Sequence, residues 1–250
     1  MPETFRDWQE FAFDDRIAHW AKAADAAATG VLADPEQAAQ YRYRNTWFVG
    51  VDALPNAPDG SVDGIPLEGE VIDALAQKTW HQAQLSVTFP GYPKQMSGES
   101  EGQHRFRIKR DAAHVDGLLP QGPNRRRHLI ERHAFILGLP LNTSAHSPLV
   151  VWEGSAAIMH TAFQDALGAH DPLQWSRIDL TEVYQAARRQ CFETCRRVEL
   201  PAKPGEALLL HRLALHGVAP WQGSVPCPQS RRIAYFRPHL ADPSDWLAAP

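Results

Sequence analysis

The sequence predicts a mainly β protein with flanking α-helices, on three observations. Helical periodicity is concentrated before residue 82. From there the chain turns to short runs rich in β-branched and aromatic residues, bounded by Gly, Pro, Asn or Ser. Two helical stretches then interrupt those runs. About seven such runs fit an antiparallel sandwich or barrel with a ligand in its mouth. The expected order is an N-terminal, mainly helical part over 1–81 and a β core over 82–240 with a helical insertion, in one domain spanning 1–250.

Residues 3–28 read as helical because Phe5, Trp8, Phe11, Ile17 and Trp20 fall near helical spacing, and the Ala-rich run that follows stops at Gly30. A short helix begins at Asp34, a capping residue, with Pro35 in its first turn. Three prolines and two glycines over 53–66 mark a surface loop before the helix "LEGEVIDALAQKTW". The β runs are "QAQLSVTFP", "HRFRIKR", "HAFILGLPLN", "SPLVVWEG", "RRVELPA", "EALLLHRL" and "RRIAYFRP". The interrupting helices lie near 156–168 and from Thr181 onward.

Composition excludes several classes. In 250 residues, 44% are hydrophobic and 22% charged, enough for a core. A net charge of −4 argues against a general nucleic-acid or anionic-membrane binder. Three cysteines, Cys191, Cys195 and Cys227, make no disulfide framework and read as inert thiols in a reducing compartment. The N-terminus is acidic without a long apolar run, so it is not a signal peptide, and no stretch is long enough for a membrane span. The expectation is a cytoplasmic protein without a nucleic-acid or membrane partner.

The chemistry concentrates in two patches. His114 and Asp116 stand two residues apart in "HVDG", and far downstream "PGEALLLHRLALHGVAPW" offers His216 just before a glycine. Two imidazoles and a carboxylate on one face suit non-haem Fe(II) and leave other positions open. His211, five residues before His216, is the competing third ligand. Beyond it, "RRIAYFRP" opens with Arg231 and Arg232, which point to opposite faces of a strand. A guanidinium there can grip a carboxylate bidentately.

Together, "HVDG", "PGEALLLHRLALHGVAPW" and "RRIAYFRP" resemble the phytanoyl-CoA dioxygenase-like family of Fe(II)/2-oxoglutarate-dependent oxygenases. The resemblance implies a double-stranded β-helix, a jelly-roll or cupin-like barrel with helices outside. It implies Fe(II) held by His114, Asp116 and His216, and 2-oxoglutarate as co-substrate with its far carboxylate on Arg231, or on Arg232 as the fallback. It implies dioxygen as co-substrate and hydroxylation of a small molecule with release of succinate and CO2. A cupin-type isomerase, lyase or binding barrel that does not use 2-oxoglutarate is the alternative. The resemblance covers roughly residues 82–240. It departs at "SPLVVWEGS", where Ala156 stands in place of the family's histidine, and in the longer gap containing "SVPCPQS".

Further candidates for substrate or co-substrate contact follow from position. "FRIKR" alternates apolar and basic residues, so as a strand it would aim Arg107 or Lys109 inward. Arg125, Arg126 and Arg127 follow the ligand loop and read either as a solvated loop or as a clamp for an anionic substrate. Gly117, Pro120, Gly122 and Pro123 make that loop turn-rich and able to act as a lid. Trp221 follows the distal histidine closely enough to line a pocket, though it reads equally well as packing.

Overall fold

A computed structural model describes residues 6–223 and 230–248 of the chain. Two antiparallel sheets face each other across an apolar core, with helices on their outer surfaces. The larger sheet runs, in spatial order, β1 (Trp8–Phe11), β10 (Ala207–His211), β7 (Phe135–Pro140), β12 (Arg231–Phe236), β4 (Gln84–Thr88), β3 (Trp47–Phe48) and β2 (Tyr41–Arg42). The smaller sheet is β11 (His216–Val218), β8 (Leu149–Glu153) and β9 (Arg196–Leu200). A separate hairpin pairs β5 (Leu118–Gln121) with β6 (Arg126–Leu129). This is the jelly-roll, cupin-like arrangement expected from the sequence. The two sheets do not close into a continuous hydrogen-bonded barrel among the described residues.

Alternation along each strand divides the core in two. On one face of the large sheet, Leu85, Val87, Leu137, Leu139, Ala234 and Phe236 pack on Ile17, Trp20 and Ala24 of α1 (Asp15–Ala33), near the short α2 (Glu70–Leu75). On the other face, Leu208, Leu210, Ile136 and Ile233 meet Leu149, Val151 and Leu200 of the small sheet. The core continues into α4 (Ser155–Leu167) and α5 (Thr181–Thr194) through Met159, Phe163, Tyr184 and Ala187. Cys191 is buried and Cys195 partly buried, both as free thiols; Cys227 lies outside the described residues. No helix among the described residues is long and apolar enough to cross a membrane.

Several local expectations are corrected. Residues 8–11, expected to be helical, form β1, which pairs with β10 from Trp8↔Leu210 to Phe11↔Ala207; residues 3–5 lie outside the described residues. The helix begins at Asp15, with the Asp14 side chain accepting from Arg16 N, and continues through Gly30 to Ala33. A free sheet edge outcompetes helical spacing here, because pairing satisfies a whole row of backbone groups. "HRFRIKR" is not a strand. It lies in α3 (Glu101–Lys109), which opens with a reciprocal capping box between Ser100 and Gln103. That cap fixes helical backbone, and two alternating pairs are too few to oppose it. The stretch after Gly117 is the paired hairpin β5–β6 rather than a loose loop, and Leu180 N and Thr181 Oγ1 bind the backbone of Arg127.

One buried carboxylate ties the small-sheet helix to the large-sheet edge. Asp7 accepts from Gly154 N at 2.6 Å, Ala156 N at 2.7 Å and Ser155 Oγ at 3.0 Å, while Ser155 Oγ accepts from Leu215 N at 2.9 Å. It therefore caps the N-terminus of α4 from a distant part of the chain, which that helix needs because its own N-cap is a glycine. Ser155 and Ala156 are thus enclosed structural positions. Replacing Asp7 by Ala leaves these buried donors without a partner and is expected to cost about 2–3 kcal/mol in urea unfolding, with no loss if the cap is dispensable.

Candidate metal centre

The two ligand-bearing patches meet by backbone pairing. His114 N donates to His216 O at 2.8 Å, and His216 N donates to His114 O at 3.0 Å, an isolated antiparallel bridge. It sets the imidazole centroids 4.7 Å apart. Asp116, two residues on, brings Oδ1 to 3.1 Å from His114 Nε2 and 3.8 Å from His216 Nε2. One ligand atom from each of the three lies within 4.8 Å of the others, a group that could hold a metal ion. Octahedral bonds of about 2.1 Å would separate adjacent ligands by about 3 Å, so the spacing is close to that of a facial set.

Both imidazoles are oriented from behind. His114 Nδ1 donates to Ala112 O at 3.1 Å and His216 Nδ1 to Ala214 O at 2.9 Å. A carbonyl only accepts, so each Nε2 keeps its lone pair toward the carboxylate. Burial lowers His216 to about 4 against the opposing pull of Asp116, so its ring is neutral at pH 7. Burial alone would raise Asp116. The adjoining His114, and then His216 and Arg237, outweigh it and hold the carboxyl well below its usual range. Converging acceptors repel unless a cation or proton lies among them. His114 is half-exposed, whereas the side chains of Asp116 and His216 are only 11% and 8% exposed, so the group opens on the His114 side.

Two glycines make this geometry accessible. At Gly217 an added Cβ would lie 2.1 Å from Asp111 O, and at Gly117, whose φ is +83°, it would lie 2.1 Å from Glu131 O. Asp111 is itself fixed by Arg197 from β9 through contacts of 2.7 and 2.8 Å. Tyr184 of α5 accepts from Val115 N at 3.3 Å. The His-x-Asp pair therefore sits in a turn braced from both sides, rather than at the end of a regular strand.

β12 separates the two candidate arginines, as opposite faces require. Arg232 reaches out to α1, binding Asp25 Oδ1 and Thr29 Oγ1 at 3.0 Å each. Arg231 points inward and is 95% buried, with Nη2 3.4 Å from Tyr235 Oη and Nη1 without a partner. Thr88, its register partner on β4, is also buried with Oγ1 unpartnered. Arg237, six residues after Arg231 and so on the same face, places Nη1 3.4 Å from Asp116 Oδ2. Sequence reasoning passed over Thr88 and Arg237; the even spacing from Arg231 was the available signal for Arg237. His211 ends β10 away from this group, accepting from Leu213 N and lining a separate surface cavity with Trp8.

Two cavities adjoin the group. One of about 290 Å³ reaches Asp116 and His114, walled by Trp47 and Tyr92. A larger one of about 840 Å³ lies on the open side of His114. Arg107 lines both, but from α3, with Glu99 at 3.0 Å and the Tyr43 ring beneath it. Lys109 is exposed at the end of that helix and lines neither. Arg127 lines both cavities and Arg125 the larger. Arg126 is turned to Asp179 and Glu182 at 2.5 and 3.0 Å and lines neither, so it is not part of an anion clamp. Trp221 lines neither and stacks on His146 at 4.4 Å, a packing role.

No family model matches the chain, and no curated protein does. Among solved structures, EctD from S. alaskensis with bound Fe is 16% identical, with 93% of this chain and 72% of that one covered at a TM-score of 0.44. AviO1 from Streptomyces viridochromogenes Tue57 is 13% identical, with 98% and 92% covered at 0.46. The non-heme alpha ketoglutarate dependent carbocyclase SnoK from nogalamycin biosynthesis is 12% identical, with 93% and 79% covered at 0.44.

Gly217→Ala is expected to separate the bridge and to weaken binding of a divalent metal by tenfold or more in an anaerobic calorimetric titration; an unchanged affinity would show that the close approach is not needed. A second expectation concerns pH. Burial lowers both His211 and His216 to about 4 from 6.5, so the unfolded chain takes up protons first as pH falls. The metal-free protein should therefore lose stability between about pH 6.5 and 4, and a flat urea midpoint across that window would contradict the burial.

Proposed function

We propose that the protein is an Fe(II)- and 2-oxoglutarate-dependent oxygenase acting on a small molecule, most simply a hydroxylase. The observation that carries this reading is two features linked along one face of β12, whose continuation at Arg237 touches Asp116. Three ligand atoms converge on a single point, and an inward-facing buried arginine offers a free Nη1 beside an unpartnered threonine hydroxyl. A buried cation without a full set of acceptors is costly. A carboxylate supplied by a ligand would satisfy both Arg231 and Thr88. A metal-dependent isomerase or binding barrel has no use for that arrangement.

In this reading His114, Asp116 and His216 hold the metal on one face and leave the side toward the large cavity open. Arg237 holds the second oxygen of Asp116, which keeps the ligating one aimed at the ion. Arg231 and Thr88 receive the far carboxylate of 2-oxoglutarate, and Trp47, the register neighbour of Thr88, whose Nε1 donates to Ser86 Oγ at 3.0 Å, walls the cavity that reaches Asp116. Iron, 2-oxoglutarate and dioxygen together would supply the oxidising chemistry, with succinate and CO2 as co-products. No side chain acts as a nucleophile.

The test is iron-dependent consumption of 2-oxoglutarate with formation of succinate; a fully metallated protein that consumes none would refute the reading. Within it, Arg231→Lys keeps the charge and loses the planar fork. The apparent affinity for 2-oxoglutarate should fall by about tenfold, the weight of one charge-assisted hydrogen bond, while Fe(II) binding persists. Arg232→Lys should leave it unchanged; the reverse pattern would transfer the role to Arg232.

A further inference from the structure

The cavity beside His114 carries four arginines, Arg107, Arg125, Arg127 and Arg188, against one carboxylate, Glu99. Glu99 is already taken by Arg107, through contacts of 3.0 and 3.2 Å, so that pair cancels. The other three guanidinium groups have no carboxylate within ion-pair distance among the described residues. They come from different elements. Arg125 sits at the β5–β6 turn, Arg127 on β6, and Arg188 on α5. Their meeting is a product of the fold, unlike a run of solvated residues.

Two of the three groups are also held in place. Arg127 donates through Nη1 to Leu118 O at 2.9 Å, and its backbone N donates to Thr181 Oγ1 at 2.7 Å. The Arg188 guanidinium lies 4.8 Å from the Phe106 ring centre and 5.1 Å from that of Tyr184. Desolvation disfavours the charged form of Arg127; Tyr184 opposes it, and the like charges of Arg188 and Arg125 add to it. Gathering three cations at one wall costs energy unless an anion lies among them, and a partly enclosed cleft strengthens the field they project. Apart from His114, the rest of the wall carries no charge: Met96, Phe106, Ala112 and Ala113 are apolar, and Gln103 and Tyr184 add neutral polar groups. The wall thus combines a cluster of guanidinium groups, an uncharged surface and His114 of the candidate ligand set.

We propose that this cavity binds the substrate through a dianionic group, a phosphate monoester or a dicarboxylate, held by Arg125, Arg127 and Arg188, with a neutral carbon body lying toward His114. This deepens the oxygenase reading and rests on it for the word substrate; the anion site itself stands on the arginine geometry. Arg126, the middle member of the sequence run, is excluded because Asp179 and Glu182 take it, and Arg188, distant in sequence, replaces it.

The experiment is a calorimetric titration under argon, with Fe(II) and saturating 2-oxoglutarate present so that the co-substrate's own site is filled. Phenyl phosphate and benzene-1,3-dicarboxylate are the probes, and benzyl alcohol is the neutral control. At least one dianion should bind and the alcohol should not, with affinity falling as salt is raised. Whichever dianion binds more tightly names the source of the charge. Arg188→Gln and Arg125→Gln should each weaken binding by about tenfold, while Arg126→Gln matches the parent. Arg125 is exposed, so its variant carries the test if Arg188→Gln proves unstable. Absence of binding by both dianions, or equal binding by parent and both variants, overturns the proposal. The oxygenase reading is judged separately on the parent's 2-oxoglutarate consumption. Consumption without probe binding removes the anion site alone, and probe binding without consumption removes the oxygenase assignment alone.

Discussion

The candidate site depends on one pair of backbone hydrogen bonds, the reciprocal exchange between His114 and His216. These residues belong to segments far apart in sequence, and neither segment is a long strand. The exchange alone would not hold two such short pieces in register. It is held because Gly217 allows the backbone of Asp111 to approach to a distance at which any side chain would collide. Val218 N then donates to Asp111 O at 3.0 Å, while the Asp111 carboxylate is gripped by Arg197 on β9. The turn that carries the candidate ligands is thus clamped to two strands of the small sheet at once. The imidazoles inherit that rigidity through their Nδ1 bonds to backbone carbonyls.

The large sheet contributes through the two faces of β12. One face builds apolar core against α1 with Ala234 and Phe236, and Arg232 reaches α1 at its edge. The other carries Arg231, Ile233 and Tyr235 in alternate positions, and Arg237, just past the end of the strand, continues that face to the Asp116 carboxylate. Burying an arginine that lacks a full set of acceptors is destabilising. The surrounding core offsets that cost, which is the usual relation between a binding site and the fold that carries it.

Much of this architecture was legible in the sequence, and the failures have physical causes. The strands ending in Thr88, Pro140, Glu153, Leu200, His211 and Phe236 declare themselves because their apolar residues are continuous or β-branched and their ends are punctuated. β1 does not, because Trp8 and Phe11 also satisfy helical spacing and only a distant partner, β10, decides between the two. "HRFRIKR" fails for the opposite reason. The decisive residues, Ser100 and Gln103, precede the run, and a local cap overrides a short alternation. The triad was visible as His-x-Asp-Gly and His-Gly, and those glycines have steric work to do. Arg237 was signalled only by its even spacing from Arg231, and the placement of Thr88 and Arg188 was not visible, since only tertiary structure supplies their neighbours. The basic run 125–127 shows both outcomes at once. Two of its members face the cavity and the third is neutralised by acids more than fifty residues away.

The most direct measurement is anomalous X-ray diffraction at the iron edge from crystals soaked anaerobically with Fe(II) and 2-oxoglutarate. The account predicts one strong peak bounded by His114 Nε2, Asp116 Oδ1 and His216 Nε2, with co-substrate density running from it to Arg231. A peak at His211 or elsewhere, or iron at the triad with co-substrate density leading away from Arg231, would contradict it.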